Sequence, residues 1–114
     1  RVGNLSRRRD FTDVRDVVRA YRLLVEHGVD GEVYNVCSGQ AIAVQALADE
    51  LIALARIPME LVIDPDLERP VDIPVLLGDN SRLCADTGWK PEIPLTTTLA
   101  DLLDDQRRRV RTTA

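Results

Sequence analysis

At 114 residues, with 45% hydrophobic and 30% charged side chains, the chain has the size and composition of one globular domain, not of a disordered or fibrous protein. No apolar run approaches the roughly 20 residues of a membrane-spanning helix, which excludes a transmembrane reading. The formal charge of −4 is unevenly spread, because residues 1–22 hold seven arginines against three aspartates; a basic segment on an acidic body suits a localised phosphate ligand and not a long polyanion.

Taken in chain order, Val2 to Leu5 is a short apolar stretch, followed by the run Arg7-Arg8-Arg9. Thr12 or Asp13 can cap a helix whose apolar positions Val14, Val17, Val18, Tyr21, Leu24 and Val25 recur at helical spacing, and His27-Gly28 ends it. That spacing predicts a buried apolar stripe, with Arg15, Arg19 and Arg22 on a solvated face. Val33 to Val36 reads as a short buried strand running into Ser38-Gly39. A second helix is expected from Val44 to Arg56, with Val44, Leu47, Ala48, Leu51, Leu54 and Ala55 inward and Ala43 where a hydroxyl cap would help by about 1 kcal/mol.

Glu60 to Asp64 is a further strand candidate, and Pro65, Pro70 and Pro74 should hold the chain extended to Leu77. Asp79 or Asn80 can cap a short helix through Leu83 to Thr87 that Gly88 closes. After Pro94 a last helix carries the stripe Leu95, Leu99, Leu102, Leu103 and Val110, with arginines at 107, 108, 109 and 111 in its last turn. Short strands alternating with about four helices indicate an α/β class in a single unit, 1–114.

Several chemistries are absent from the sequence. The six glycines offer no GxGxxG or GxxGxxG spacing, so no dinucleotide-phosphate turn is encoded. The single lysine, Lys90, has Asp86 four residues before it, so the chain contains no Tyr-x-x-x-Lys pair. His27, the single histidine, falls at a helix end, which argues against a Ser-His-Asp triad and for a structural role. Cys37 and Cys84 are 47 residues apart without metal-ligand spacing and read as neutral thiols, in keeping with a cytoplasmic protein.

What remains is a set of loop arginines and carboxylates. Arg9 precedes a helix amino-terminus, where a guanidinium adds planar paired donors for phosphate; the alternative is an ordinary ion pair with Asp10 or Asp13. Arg69, three residues before Asp72 in a proline-stiffened loop, is a second candidate, with a surface ion pair as its alternative. A nucleic-acid-binding module built on the two arginine clusters lacks an aromatic stacking platform.

The blocks Gly3-Asn4-Leu5, Arg9-Asp10-Phe11-Thr12-Asp13-Val14-Arg15-Asp16, Val33-Tyr34-Asn35-Val36-Cys37-Ser38-Gly39, Arg69-Pro70-Val71-Asp72-Ile73-Pro74, Gly78-Asp79-Asn80-Ser81-Arg82-Leu83 and Thr87-Gly88-Trp89-Lys90-Pro91 occur in this order. Together they resemble the carboxy-terminal, substrate-binding part of extended short-chain dehydrogenase/reductases that act on nucleotide sugars, within the NAD(P)-binding Rossmann superfamily. The resemblance implies first a GDP-mannose 4,6-dehydratase, which converts GDP-mannose to GDP-4-keto-6-deoxymannose; the alternative is a reductase of that 4-keto-6-deoxy sugar or another nucleotide-sugar epimerase or dehydratase. It implies that Arg9 and Arg69 converge on the substrate diphosphate, that Asp72 meets the ribose, and that Asn4 borders the nucleotide of a GDP-sugar.

It further implies that the NADP turn and the catalytic residues lie outside this chain. The chain begins at Arg1 and its one methionine is Met59, so it reads as a fragment. Such a fragment is expected to hold no catalytic, cofactor or metal residues of its own and to be inactive alone. It is also expected to expose the apolar surfaces that pack against the cofactor-binding half, and so to self-associate.

Overall fold

The computed structural model describes residues 1–69 and 73–113. Three short strands and four helices follow in the order β1 (Arg8–Asp10), α1 (Val14–His27), β2 (Ala41–Ala43), α2 (Val44–Leu54), β3 (Val75–Leu76), α3 (Ser81–Thr87) and α4 (Leu95–Thr113), with a 3-10 turn at Pro65–Leu67. The sheet order is β2-β1-β3: β1 runs antiparallel to β2, with Arg9 opposite Ile42, and parallel to β3, with Arg9 opposite Leu76. The arginine run, read from sequence only as charge, therefore supplies the central strand. Backbone pairing on both sides holds it there while its side chains extend from the sheet.

The helix ends follow the local chemistry. Asp13 caps α1 by accepting from the Arg15 amide, and the Gly28 amide donates to the Leu24 carbonyl at the other end. α2 starts directly from β2 with Ala43 at its cap and no side-chain bond there; its first amides, Val44 and Gln45, donate instead to the carbonyls of Arg7 and Leu5. α3 is closed by Gly88 in the left-handed conformation.

Trp89, Leu83 and Ala20 are fully buried, with Leu23, Leu24, Tyr34, Val36 and Cys84 packed around them. The indole Nε1 donates to the Asp16 carbonyl at 2.9 Å, and the Arg19 guanidinium lies 5.9 Å from the ring centroid, within cation–π range. Arg19 also donates to the Lys90 carbonyl and, at 3.2 Å, to the Asp16 carboxylate. Asp16, 2% exposed, accepts from the amides of Glu92 and Ile93 at 3.1 Å each.

These contacts overturn part of the expected orientation of α1. Its face carrying Asp16, Arg19 and Ala20 packs on the rest of the chain, whereas Val14, Val18, Tyr21 and Val25 are exposed, Val25 to 89%. As expected, Arg15 and Arg22 are exposed and Val17 and Leu24 half-buried. Val33–Val36 also departs from expectation. Tyr34 and Val36 turn inward and Val33 and Asn35 outward, as in a strand, but the segment joins no ladder among the described residues and Val33 is 78% exposed. Tyr34 ties it to α3 and to α1's end by donating to Asp86 at 2.6 Å and accepting from the Val29 amide at 2.9 Å.

Glu60 to Asp64 forms no strand beyond the isolated parallel bridge of Ile63 with Val2. The proline-stiffened stretch is interrupted by the 3-10 turn and then enters β3. The radius of gyration, 17.2 Å, exceeds the roughly 13 Å of a compact domain of this length. The accessible surface of 8303 Å² likewise exceeds the roughly 6,200 Å² of a compact monomer of this size. Both follow from a small core and from apolar faces left exposed among the described residues.

Candidate functional site

Two segments run side by side and carry the candidate residues. The Val2 amide donates to the Val62 carbonyl at 2.9 Å, the Asp64 amide to the Val2 carbonyl at 2.7 Å, and the Arg8 amide to the Pro74 carbonyl at 2.9 Å. Between the bridges Val2–Ile63 and Arg8–Val75 the first segment advances six residues and the second twelve. The second therefore carries six extra residues between the bridges, and Arg69 lies in that stretch. Gly3 lies against it: a β-carbon there would stand 2.7 Å from the Leu67 carbonyl oxygen, so only glycine allows the approach.

Arg9 is half-buried, and its Nη1 donates to the carbonyls of Ile73 at 2.7 Å and Arg8 at 2.8 Å. The guanidinium is thus anchored to the end of the Arg69–Ile73 block, 64 residues away in sequence. Asn4 accepts from the Ser6 amide at 2.9 Å and the Ser6 hydroxyl at 2.6 Å, folding its segment into a tight turn. Arg69 is exposed, and Asp72 lies outside the described residues. Asn4 and Arg9 thus share one segment, and the loop bearing Arg69 is bridged to it at both ends.

The strand neighbour of Arg9, given no separate role by the sequence, is the structural hub of this region. Asp10 accepts from the Ser38 amide at 2.8 Å, the Ser38 hydroxyl at 2.6 Å and the Gly39 amide at 2.9 Å. Burial works against the charged form of Asp10. The bonds from the Ser38 hydroxyl and from the amides of Ser38, Gly39 and Gly78 outweigh it and hold the carboxyl below its usual range. Asn80 completes the knot by donating to the Cys37 carbonyl at 2.8 Å. A β-carbon at Gly78 would meet the Cys37 sulfur at 2.5 Å, so glycine is required there as well. Burial, then the charge of Asp10, pushes the Cys37 thiol up, which disfavours the thiolate. The presence of Asp10, Ser38-Gly39 and Gly78-Asp79-Asn80 in three separate sequence blocks was the available signal for this convergence.

The α1 amino-terminus, expected to reinforce Arg9, is already filled. The buried Asp13 carboxylate binds the Arg15 guanidinium at 2.8 and 3.0 Å and the Thr98 hydroxyl at 2.6 Å. The Arg15 hydrogen bond is the main reason that its carboxyl sits far below the ordinary value. The starts of α2 and α3 are filled too, by the carbonyls of Arg7 and Leu5 and by the Asp79 carboxylate on the Ser81 amide. Among the described residues there is no glycine-rich turn, and none of these three helix starts is open to a dinucleotide phosphate. His27 is an exposed helix-end residue 3.8 Å from Glu26, and both cysteines are free thiols.

The family described as GDP-mannose 4,6 dehydratase matches residues 1–102. The chain belongs to that family. It is 43% identical over 110 residues to a GDP-6-deoxy-D-mannose reductase of Pseudomonas aeruginosa, covering 96% of this chain and 36% of that protein. It is 30% identical over 82 residues to a GDP-6-deoxy-D-talose 4-dehydrogenase of Aggregatibacter actinomycetemcomitans, covering 72% of this chain and 28% of that one.

Among solved structures it resembles RMD from Pseudomonas aeruginosa complexed with NADPH, with a TM-score of 0.87 and 41% identity over 95% of this chain and 35% of that one. It also resembles the UDP-glucose 4-epimerase of Thermotoga maritima with UDP-glucose, with a TM-score of 0.76 and 27% identity over 96% of this chain and 35% of that one. The α/β fold is that of extended short-chain dehydrogenase/reductases, and the chain spans about a third of the length of these relatives. Among the described residues no helix is long and apolar enough to cross a membrane.

Proposed function

We propose that this chain is the carboxy-terminal, substrate-binding region of a cytoplasmic GDP-sugar reductase that converts a GDP-linked 4-keto-6-deoxy sugar to the corresponding alcohol. The observation that carries the reading is the 43% identity, over almost the whole chain, to a GDP-6-deoxy-D-mannose reductase. The sequence blocks alone favoured the dehydratase of the same family; at this level of identity the reductase fits better. NADPH, the hydride donor in this reading, leaves as NADP and is held by a part of the parent outside this chain, and the 114 residues alone are inactive.

In this reading Arg9 and Arg69 clamp the diphosphate, Asp72 accepts from the ribose, and Asn4 borders the base. Support comes from the anchoring of Arg9 to the Ile73 carbonyl and from the close approach of Gly3 to Leu67, which hold the two segments together. A guanidinium pair suits a diphosphate because each offers parallel N–H donors. The exposed apolar face of α1 and the unpaired Val33–Val36 segment pack against the cofactor-binding region, and in the isolated chain they drive self-association.

The test is an assay of the full-length protein. It should oxidise NADPH in the presence of GDP-4-keto-6-deoxymannose and leave GDP-mannose unchanged with NADP; formation of the 4-keto sugar from GDP-mannose would return it to the dehydratases. Arg9→Ala and Arg69→Ala should each raise KM about tenfold or more, the loss of charge-assisted hydrogen bonds of about 1.5–3 kcal/mol. An unchanged KM in both variants would remove the proposed clamp.

A further inference from the structure

Strand β3 has two residues, both exposed, so its own side chains do little to fix its register on β1. The register is fixed at its two ends, and β1 holds both. On the upstream side the Arg8 amide donates to the Pro74 carbonyl at 2.9 Å and the Arg9 Nη1 to the Ile73 carbonyl at 2.7 Å. On the downstream side the Gly78 amide donates to the Asp10 carboxylate, whose Oδ2 lies 3.7 Å from the place a Gly78 β-carbon would take. Three consecutive residues of β1 thus grip the chain from Ile73 to Gly78. The carboxylate is in turn fixed from a third segment: Oδ1 accepts from the Ser38 amide and hydroxyl at 2.8 and 2.6 Å, and Oδ2 from the Gly39 amide at 2.9 Å.

The Arg9 guanidinium is oriented by the Ile73 carbonyl, and that carbonyl stands where the register of β3 puts it. A slip of one residue would move it by roughly 3.3 Å, the rise of a parallel strand, which is more than a hydrogen bond tolerates. A carboxylate suits the downstream hold because both of its oxygens only accept. A carboxamide of the same shape, turned either way, would set an NH2 group against the Ser38 amide or the Gly39 amide. We propose that Asp10 is the positioning residue for Arg9, acting through the Gly78 amide and the register of β3 to keep the guanidinium in its place in the substrate site. This role rests on the reading of Arg9 as a diphosphate ligand.

The test is steady-state kinetics of the full-length protein with GDP-4-keto-6-deoxymannose and NADPH, or with GDP-mannose and NADP should it prove a dehydratase. Asp10→Asn should raise KM for the sugar nucleotide about fivefold or more, while kcat and KM for the nicotinamide cofactor stay within about twofold. In an Arg9→Ala background the same substitution should change KM by less than about twofold, because its effect passes through the guanidinium. Ser38→Ala takes one hydroxyl from the carboxylate without setting a donor against it. It should raise KM about threefold, again only where Arg9 is present, and it decides the question if Asp10→Asn does not fold. A merely structural Asp10 would lower kcat with the folded fraction, and its effect on KM would multiply with that of Arg9→Ala. That pattern would overturn the positioning role and leave the diphosphate clamp standing. So would a KM that Arg9→Ala raises but the deciding variant, Asp10→Asn or Ser38→Ala, leaves unchanged. A KM unchanged by Arg9→Ala itself would overturn both.

Discussion

Helix α1 shows two faces of opposite chemistry. The inner face is built from a carboxylate, a guanidinium and a methyl group, and every polar atom named there has a partner: Asp16 serves two amides and Arg19, and Arg19 covers the Trp89 ring. The outer face is valine and tyrosine left open to solvent. Burial of polar groups on the inside is tolerable because their hydrogen bonds are complete. Exposure of four large apolar side chains in a row on the outside is costly unless something covers them. The relatives extend over roughly twice as much further chain. The inner face therefore reports how this chain folds, and the outer face is the surface that the proposed docking on the cofactor-binding region would cover.

The largest effect should come from the inner side. Trp89→Ala removes the central buried ring and its bond to the Asp16 carbonyl, and should lower unfolding free energy in urea by about 3–5 kcal/mol, enough to unfold a marginal domain. Asp16→Ala should cost about 2–3 kcal/mol, because it strands the amides of Glu92 and Ile93 without acceptors.

Asp13→Asn should act through pH. The folded-state carboxyl is held below its ordinary value, so its contribution is fully present above about pH 4 and is lost as the pH falls further. Denaturation curves at pH 5 and pH 3 should therefore differ less for the variant than for the parent chain. The smallest effect on stability belongs to the outer face: Val18→Lys or Tyr21→Lys should change unfolding free energy by no more than about 0.5 kcal/mol. The same substitutions should reduce self-association in light scattering, whereas association that is unchanged by both would place the contact elsewhere.

The elements written in local chemistry were legible in the sequence. Asp13, Gly28 and Gly88 bound helices because caps and turns act over a few residues. The strand at Arg8–Asp10 was not legible, because a run of arginines carries no apolar alternation and its pairing partners lie more than 30 residues away. The inward face of α1 was misread because helical periodicity identifies an apolar face without naming the surface that covers it. Val33–Val36 has the alternation of a strand but, among the described residues, no strand beside it. At the candidate site Arg9 could be chosen by its block. Its anchoring to Ile73, and the six extra residues of the stretch that holds Arg69, depend on a register that no local pattern encodes.

The division between an inner fold and an outer docking surface is tested most directly by hydrogen exchange at the amides of Val33 to Val36, measured in the 114-residue chain under conditions that keep it monomeric and again in the full-length protein. Unpaired amides exchange rapidly and amides in a buried ladder exchange slowly. The expected result is fast exchange in the isolated chain and protection by about a hundredfold or more in the full-length protein; equal rates in both would contradict a docking role for this segment and for the α1 face beside it.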